Sequence, residues 1–349
     1  MATFPSIVFK AALLIGGLNP TPTIDPSEFQ EWFLSSYDGT LELTEEIAAR
    51  ARRCRFVFVM GLMHERSPGY LEQNIKELTA LGVPSESIHR IGPSSDTTFR
   101  ENVDSIRASF FAISEKGPEP LVIIGHSRGA CDALAFALQN PGFVSERVLA
   151  LFLVQGPFGG SGVADYVLGS GIPMDRKMPV PGRAIAKVLG NAHAKQLERG
   201  KHSGIIDLTT DAAGRFWEKL LRSRSAAIPI VSPRTFFIES SVSPSRQPLL
   251  RRPVARYLDT YYGPNDGLVA AGDQYLPGIG TRLGMLDVSH MDLTHRFPAA
   301  RPQRKLRGAL VQAIAMGIGQ VGYLEPPPSG SPLRSPSQDN DRSNPQDLR

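Results

Sequence analysis

The stretch Leu121-Val122-Ile123-Ile124-Gly125-His126-Ser127-Arg128-Gly129-Ala130 runs from a short, β-branched apolar segment into Gly-x-Ser-x-Gly. An apolar helix-like pattern continues from there through Leu138. This order predicts a strand, a sharp turn and a helix, with Ser127 on the turn. In such an elbow the serine hydroxyl is pushed out beyond the sheet edge, and the flanking glycines leave room for the helix to pack close to the strand. The helix starting at Arg128 also aims unpaired backbone N–H groups at whatever lies beside Ser127.

Working outward, further apolar runs predict strands at Arg55–Met60, Ser87–Ile91, Val148–Val154, Arg234–Ile238 and Arg282–Val288. Helical patterns fall between or around them: Ser27–Leu34, Thr44–Arg53 with Thr44 as N-cap, Tyr70–Leu81, Arg100–Lys116, Asp211–Leu221 and Arg304–Ile318. Strands alternating with helices predict a mostly parallel sheet covered on both faces. Ligands in such sheets bind beyond the carboxyl ends of the strands, where Ser127 sits. Residues 156–232 interrupt the alternation with a Gly-, Pro- and Ser-rich passage carrying helical pieces near Arg183–Leu189 and Asp211–Leu221. It reads as a cap, or lid, inserted over the strand ends. The expected organisation is a helical extension over 1–54, an α/β domain over 55–325, and a polar tail over 326–349 too poor in apolar residues to fold. There is no internal repeat.

Composition narrows the function. The 349 residues are 41% hydrophobic and 21% charged, with a formal net charge of +4. The basic residues are scattered rather than interleaved with aromatics, so nucleic acid is not an expected partner. Cys54 and Cys131 lie in apolar contexts and read as buried free thiols. No apolar run reaches transmembrane length. The first twenty residues make a poor secretory signal, with a late lysine and interrupting glycines, so a cytoplasmic location is expected. His64-Glu65 lacks a second histidine at helical spacing, which argues against a metallohydrolase.

A serine nucleophile needs a base, and the base needs an acid to orient it, in the chain order Ser, Asp or Glu, His. Of the four histidines after Ser127, His290 directly follows a predicted strand. His295 is the runner-up and reads as a surface or cap contact, while His193 and His202 fall in the proposed cap. For the acid, Asp266 in Gly263-Pro264-Asn265-Asp266-Gly267 precedes His290 by a span that leaves room for a final strand. Asn-Asp-Gly is also ordinary turn chemistry. Asp259, Asp273 and Asp287 compete with it, the last expected to point away. Two backbone donors should hold the developing oxyanion: the Arg128 N–H and, from the loop after the Phe56–Met60 strand, the Leu62 N–H.

With these residues in view, the chain resembles an α/β-hydrolase of the bacterial triacylglycerol lipase type. The resemblance rests on Gly125–Leu134, Gln155–Val167, Asp207–Ala213, and Asn265–Val269 followed by Ser289-His290-Met291-Asp292. It implies an α/β-hydrolase fold with a cap or lid insertion, and a triad of Ser127, Asp266 and His290. It further implies a serine lipase or esterase working through an acyl-enzyme on lipid or other acyl esters, with transient contact at a lipid surface. The family usually has His-Gly before the oxyanion residue, and Met60-Gly61 stands here. Many members bind structural Ca²⁺, and Asp292 occupies the place of one ligand, but no upstream partner aspartate is evident. No other cofactor is implied. Acyl transfer or thioester cleavage on the same triad, and a non-catalytic binding module, are the alternatives.

Overall fold

The structure is a computed structural model and describes residues 24–169, 190, 191, 194, 204–249, 251–295 and 302–321. Six strands form one sheet: β1 Arg55–Val59, β2 Ile88–Ile91, β3 Leu121–His126, β4 Val148–Val154, β5 Thr235–Ser240 and β6 Thr281–Leu286. Their spatial order is β2-β1-β3-β4-β5-β6, and every pairing is parallel. The central strands are largely apolar because both faces are buried. Val57, Val59, Ile123, Leu151, Leu153 and Phe237 enter one core. Their alternating neighbours Phe56, Phe58, Val122, Ile124, Phe152, Phe236 and Ile238 enter the other. Alternation of side-chain direction along a strand splits each run between two layers in this way.

Helices α1 (Pro26–Asp38), α2 (Glu45–Arg52) and α3 (Glu72–Ala80) are followed by α4 (Phe99–Ser114), α5 (Arg128–Gln139) and α6 (Pro141–Arg147). Next come α7 (Gly162–Leu168), α8 (Thr210–Ser223), the single turn α9 (Ile228–Val231), α10 (Arg252–Tyr261) and the closing α11 (Pro302–Gln320). Residues of α4, α5, α6 and α8 share the first core. Residues of α1, α2, α3 and α11 share the second. From the N-terminal region, Ile24, Phe29, Phe33 and Ala51 are buried in that second core. Burial of Phe29 and Phe33 contributes about 2–3 kcal/mol each, an upper estimate. Thr44 caps α2 through the Ile47 N–H, and Thr98 and Glu101 form a reciprocal capping box on α4.

Four helices were not anticipated, the single turn α9 among them. Helix α5 ends before Asn140-Pro141, and Pro141 opens α6, since proline suits a first helical turn. Helix α10 starts the same way around Pro253 and buries Val254, Ala255, Tyr257 and Leu258. Gly162–Leu168 is the third. In the predicted insertion, Leu208, Trp217 and Leu220 pack into the first core. The Arg183–Leu189 piece lies outside the described residues. Among the described residues no helix is long and apolar enough to cross a membrane.

Candidate functional site

Ser127 lies between β3 and α5 with φ 55° and ψ −132°, a backbone state that costs a non-glycine residue about 1–3 kcal/mol. The surroundings hold it there. The Ser127 N–H donates to Val154 O, and the Ala130 N–H donates to Ser127 O. The neighbouring glycines permit the turn by lacking a side chain. A Cβ on Gly125 would stand 2.6 Å from Ala130 Cα, and one on Gly129 would stand 2.3 Å from Val59 O. The helix therefore starts directly against the end of β1.

His290 and Asp266 converge on this serine. His290 Nε2 is 3.0 Å from Ser127 Oγ, and His290 Nδ1 is 2.7 Å from Asp266 Oδ2. The His290 N–H also donates to Asp266 O at 2.9 Å, so backbone and side chain are tied to one residue. Ser127 is half-buried, while His290 and Asp266 are buried. A carboxylate can only accept, so Nδ1 carries the imidazole proton and Nε2 presents its lone pair to the serine hydroxyl.

The Asn-Asp-Gly segment is a turn whose carboxylate also meets His290. The Gly267 N–H donates to Asn265 Oδ1, and Gly267 takes φ 97°. Asp266 Oδ1 accepts the N–H groups of Leu268 and Val269, leaving Oδ2 for His290 and for Gln274 Nε2 at 3.2 Å. Gln274 is fully buried and clasps Ser240 at the end of β5 through both its N–H and its carbonyl. Asp266 is thereby fixed to the sheet although it lies outside any strand.

The competing residues are elsewhere. Asp259 is exposed on α10, and Asp287 pairs with Arg246 on the surface. Asp273 is half-buried, its carboxyl pushed up to about 6 by desolvation and then by Asp165. The expectation of His295 as a surface or cap contact is corrected. It is buried, stacked on Tyr70 at 4.1 Å, and hydrogen-bonded to Thr294 Oγ1. Burial, then the charges of His290, Arg251 and Arg307, pull it down to about 3, so it is neutral. His193 and His202 lie outside the described residues.

The loop after β1 passes beside the elbow. A Cβ on Gly61 would stand 2.9 Å from Ser127 Cβ. Neither the Leu62 N–H nor the Arg128 N–H meets an acceptor among the described residues. Calcium takes roughly six to eight oxygen ligands. Asp292 accepts the Ser289 N–H, and among the described residues no group of three or more Asp, Glu, His or Cys side chains gathers.

Several buried polar residues around the elbow gave no signal in the sequence. His126 lies within the motif, yet only the structure shows its partners: Tyr70 Oη at 2.5 Å, His290 O at 2.9 Å and Gln155 Oε1 at 3.2 Å. Gln155, itself at φ 52°, also reaches Ser240 Oγ and Ser289 O. Each joins segments far apart in the chain, and local patterning does not reveal such links.

The fold also matches solved structures. The metagenomic carboxyl esterase MGS0156 superposes with a TM-score of 0.59 at 17% identity, covering 90% of this chain and 99% of its own. The Bacillus licheniformis lipase BlEst2 in mature form gives 0.53 at 16% identity, covering 75% and 90%. This is an α/β-hydrolase fold. No family model and no curated protein matches the sequence. In the hydrolase fold of this chain the elbow follows β3, and the strand ends place Ser127 at the middle of the sheet.

Proposed function

We propose that this protein is a serine carboxylic ester hydrolase, acting on lipid or other acyl esters through an acyl-enzyme. One observation carries the reading: the unbroken line from Ser127 Oγ through His290 to Asp266, with contacts of 3.0 and 2.7 Å. Ser127 Oγ attacks the ester carbonyl while His290 Nε2 takes its proton. Asp266 keeps the imidazole in the tautomer that can accept and stabilises the imidazolium that results. The Leu62 and Arg128 N–H groups face the oxygen on which charge develops. His290 then returns its proton to the departing alkoxide, and water resolves the acyl-enzyme by the same relay. The activities named for the two structural neighbours, carboxyl esterase and lipase, belong to this reaction class.

A fluorophosphonate probe tests the reading. The purified protein should be labelled at Ser127, located by peptide mass, and Ser127→Ala should not. A folded, monodisperse wild-type protein that stays unlabelled with or without detergent would overturn it. A panel of acyl esters, acyl-thioesters and alcohol acceptors then separates hydrolysis from thioester cleavage and acyl transfer.

A further inference from the structure

We propose that Tyr70 and Ser95 form a two-point clamp that presents the Leu62 N–H as an oxyanion donor, an inference that rests on Ser127 being the acylating nucleophile. Three consecutive backbone N–H groups leave β1 beside the elbow. The first, on Gly61, donates to Tyr70 Oη at 2.9 Å. The third, on Met63, donates to Ser95 Oγ at 2.8 Å. The middle one, on Leu62, has no acceptor among the described residues. With both neighbours tied down, the Leu62 peptide cannot rotate freely, and its donor stays available.

The direction of each bond follows from the partners. His290 O is a carbonyl and can only accept, so His126 Nε2 carries the proton it donates there at 2.9 Å. His126 is completely enclosed and held neutral, first by burial and then by the neighbouring His290 and His295. Its Nδ1 is therefore a bare acceptor, and the Tyr70 hydroxyl donates to it at 2.5 Å. The Tyr70 oxygen is left with lone pairs alone for Gly61. At the other end, Met63 holds φ 61°, a left-handed state uncommon for a side-chain-bearing residue. Ser95 stabilises it, and its own hydroxyl and N–H donate to the Glu65 carboxylate at 2.9 and 3.2 Å. Both clamps are buried, with Tyr70 at 4% and Ser95 at 6% exposure. A phenylalanine would fill the same space as Tyr70, so the phenol is explained by its two hydrogen bonds rather than by packing. Neither side chain touches the reacting atoms. They are positioning residues.

The test uses Tyr70→Phe, Ser95→Ala and Ser95→Thr in the full chain, with an aryl ester and a trifluoromethyl ketone. Ser127 Oγ adds to the ketone carbon, its proton passes to His290 Nε2, and the carbonyl oxygen takes the electron pair as an alkoxide facing the Leu62 N–H. Tyr70→Phe and Ser95→Ala should each lower kcat about 10- to 100-fold with KM within about twofold. The ketone inhibition constant should rise by the same factor as kcat falls. Ser95→Thr, which keeps the hydroxyl, should recover most of the loss. Active-site titration with fluorophosphonate corrects for inactive protein. Unchanged kcat and ketone affinity in folded variants overturn the clamp, as does a change in KM alone. Should Tyr70→Phe not fold, the serine pair decides. An unlabelled wild-type Ser127 would instead remove the ester-hydrolase reading on which the clamp depends.

Discussion

Gly129→Ala probes the packing of helix against strand at the elbow. An added Cβ would stand 2.3 Å from Val59 O and 2.5 Å from Met60 O, whereas ordinary van der Waals contact begins at 3.4 Å. Both opposing atoms are backbone, and no flexible side chain can yield. The first turn of α5 must therefore retreat from the end of β1 by about 1 Å, a misplacement able to cost on the order of 100-fold in rate. The retreat opens the gap between Ser127, which moves with α5, and the Leu62 loop, which moves with β1. We expect kcat to fall about 100-fold with KM within about twofold, and stability to fall by about 1–3 kcal/mol. Initial rates on an aryl ester, normalised by fluorophosphonate titration, read the first effect, and urea unfolding reads the second. Gly214→Ala on α8 is the control, since nothing lies within 4 Å of its added Cβ. That substitution should stabilise by about 0.5–1 kcal/mol and leave turnover alone. Wild-type turnover and an unshifted unfolding midpoint in Gly129→Ala would refute the tight-elbow reasoning.

Other substitutions address the acid and the buried charge. Asp266→Asn must turn its NH₂ either toward the Leu268 and Val269 N–H groups or toward His290 and Gln274, donors in both cases. Placed toward His290, it forces the proton onto Nε2, so kcat should drop by about 10⁴; a loss under tenfold would sink this assignment. Asp132, packed beside Arg128, is pushed up to about 7, chiefly by burial. Folded Asp132 thus keeps its proton where the unfolded chain, near 3.8, has lost it, and this contribution to stability falls as pH rises through that window. Relative to Asp132→Asn, the wild type should lose about 3 kcal/mol between about pH 5 and about pH 8. Parallel urea-derived stability curves for the two proteins would contradict that shift.

What could be read from the sequence follows physical locality. The six strands were legible because burial on both faces turns β1, β3 and β4 into unbroken apolar runs. The line from Ser127 to Asp266 and His290 was legible because strand-end chemistry and chain order restrict the candidates. Helix α6 was missed because Pro141 reads as a stop when it also starts a helix. His295 was misplaced because the ring it stacks on, Tyr70, is remote in sequence. Tyr70, Ser95, Gln155 and Gln274 were invisible for the same reason. Each is an ordinary polar residue until the fold brings its partner to it.

The bond from His126 to the carbonyl of His290 has a consequence for how the protein comes into being. Residues 126 and 290 are separated by 164 positions along the chain. A polypeptide emerging from the ribosome carries its nucleophile long before its base, and the base loop also completes the hydrogen bonding of the histidine beside that nucleophile. Until β6 docks, His126 lacks the acceptor that sets its tautomer, and the Tyr70 hydroxyl lacks a settled direction. The contact between His290 and Ser127 is thus a property of the finished chain. On the proposed function, a growing intermediate of this protein is born without the relay that would attack an acyl ester.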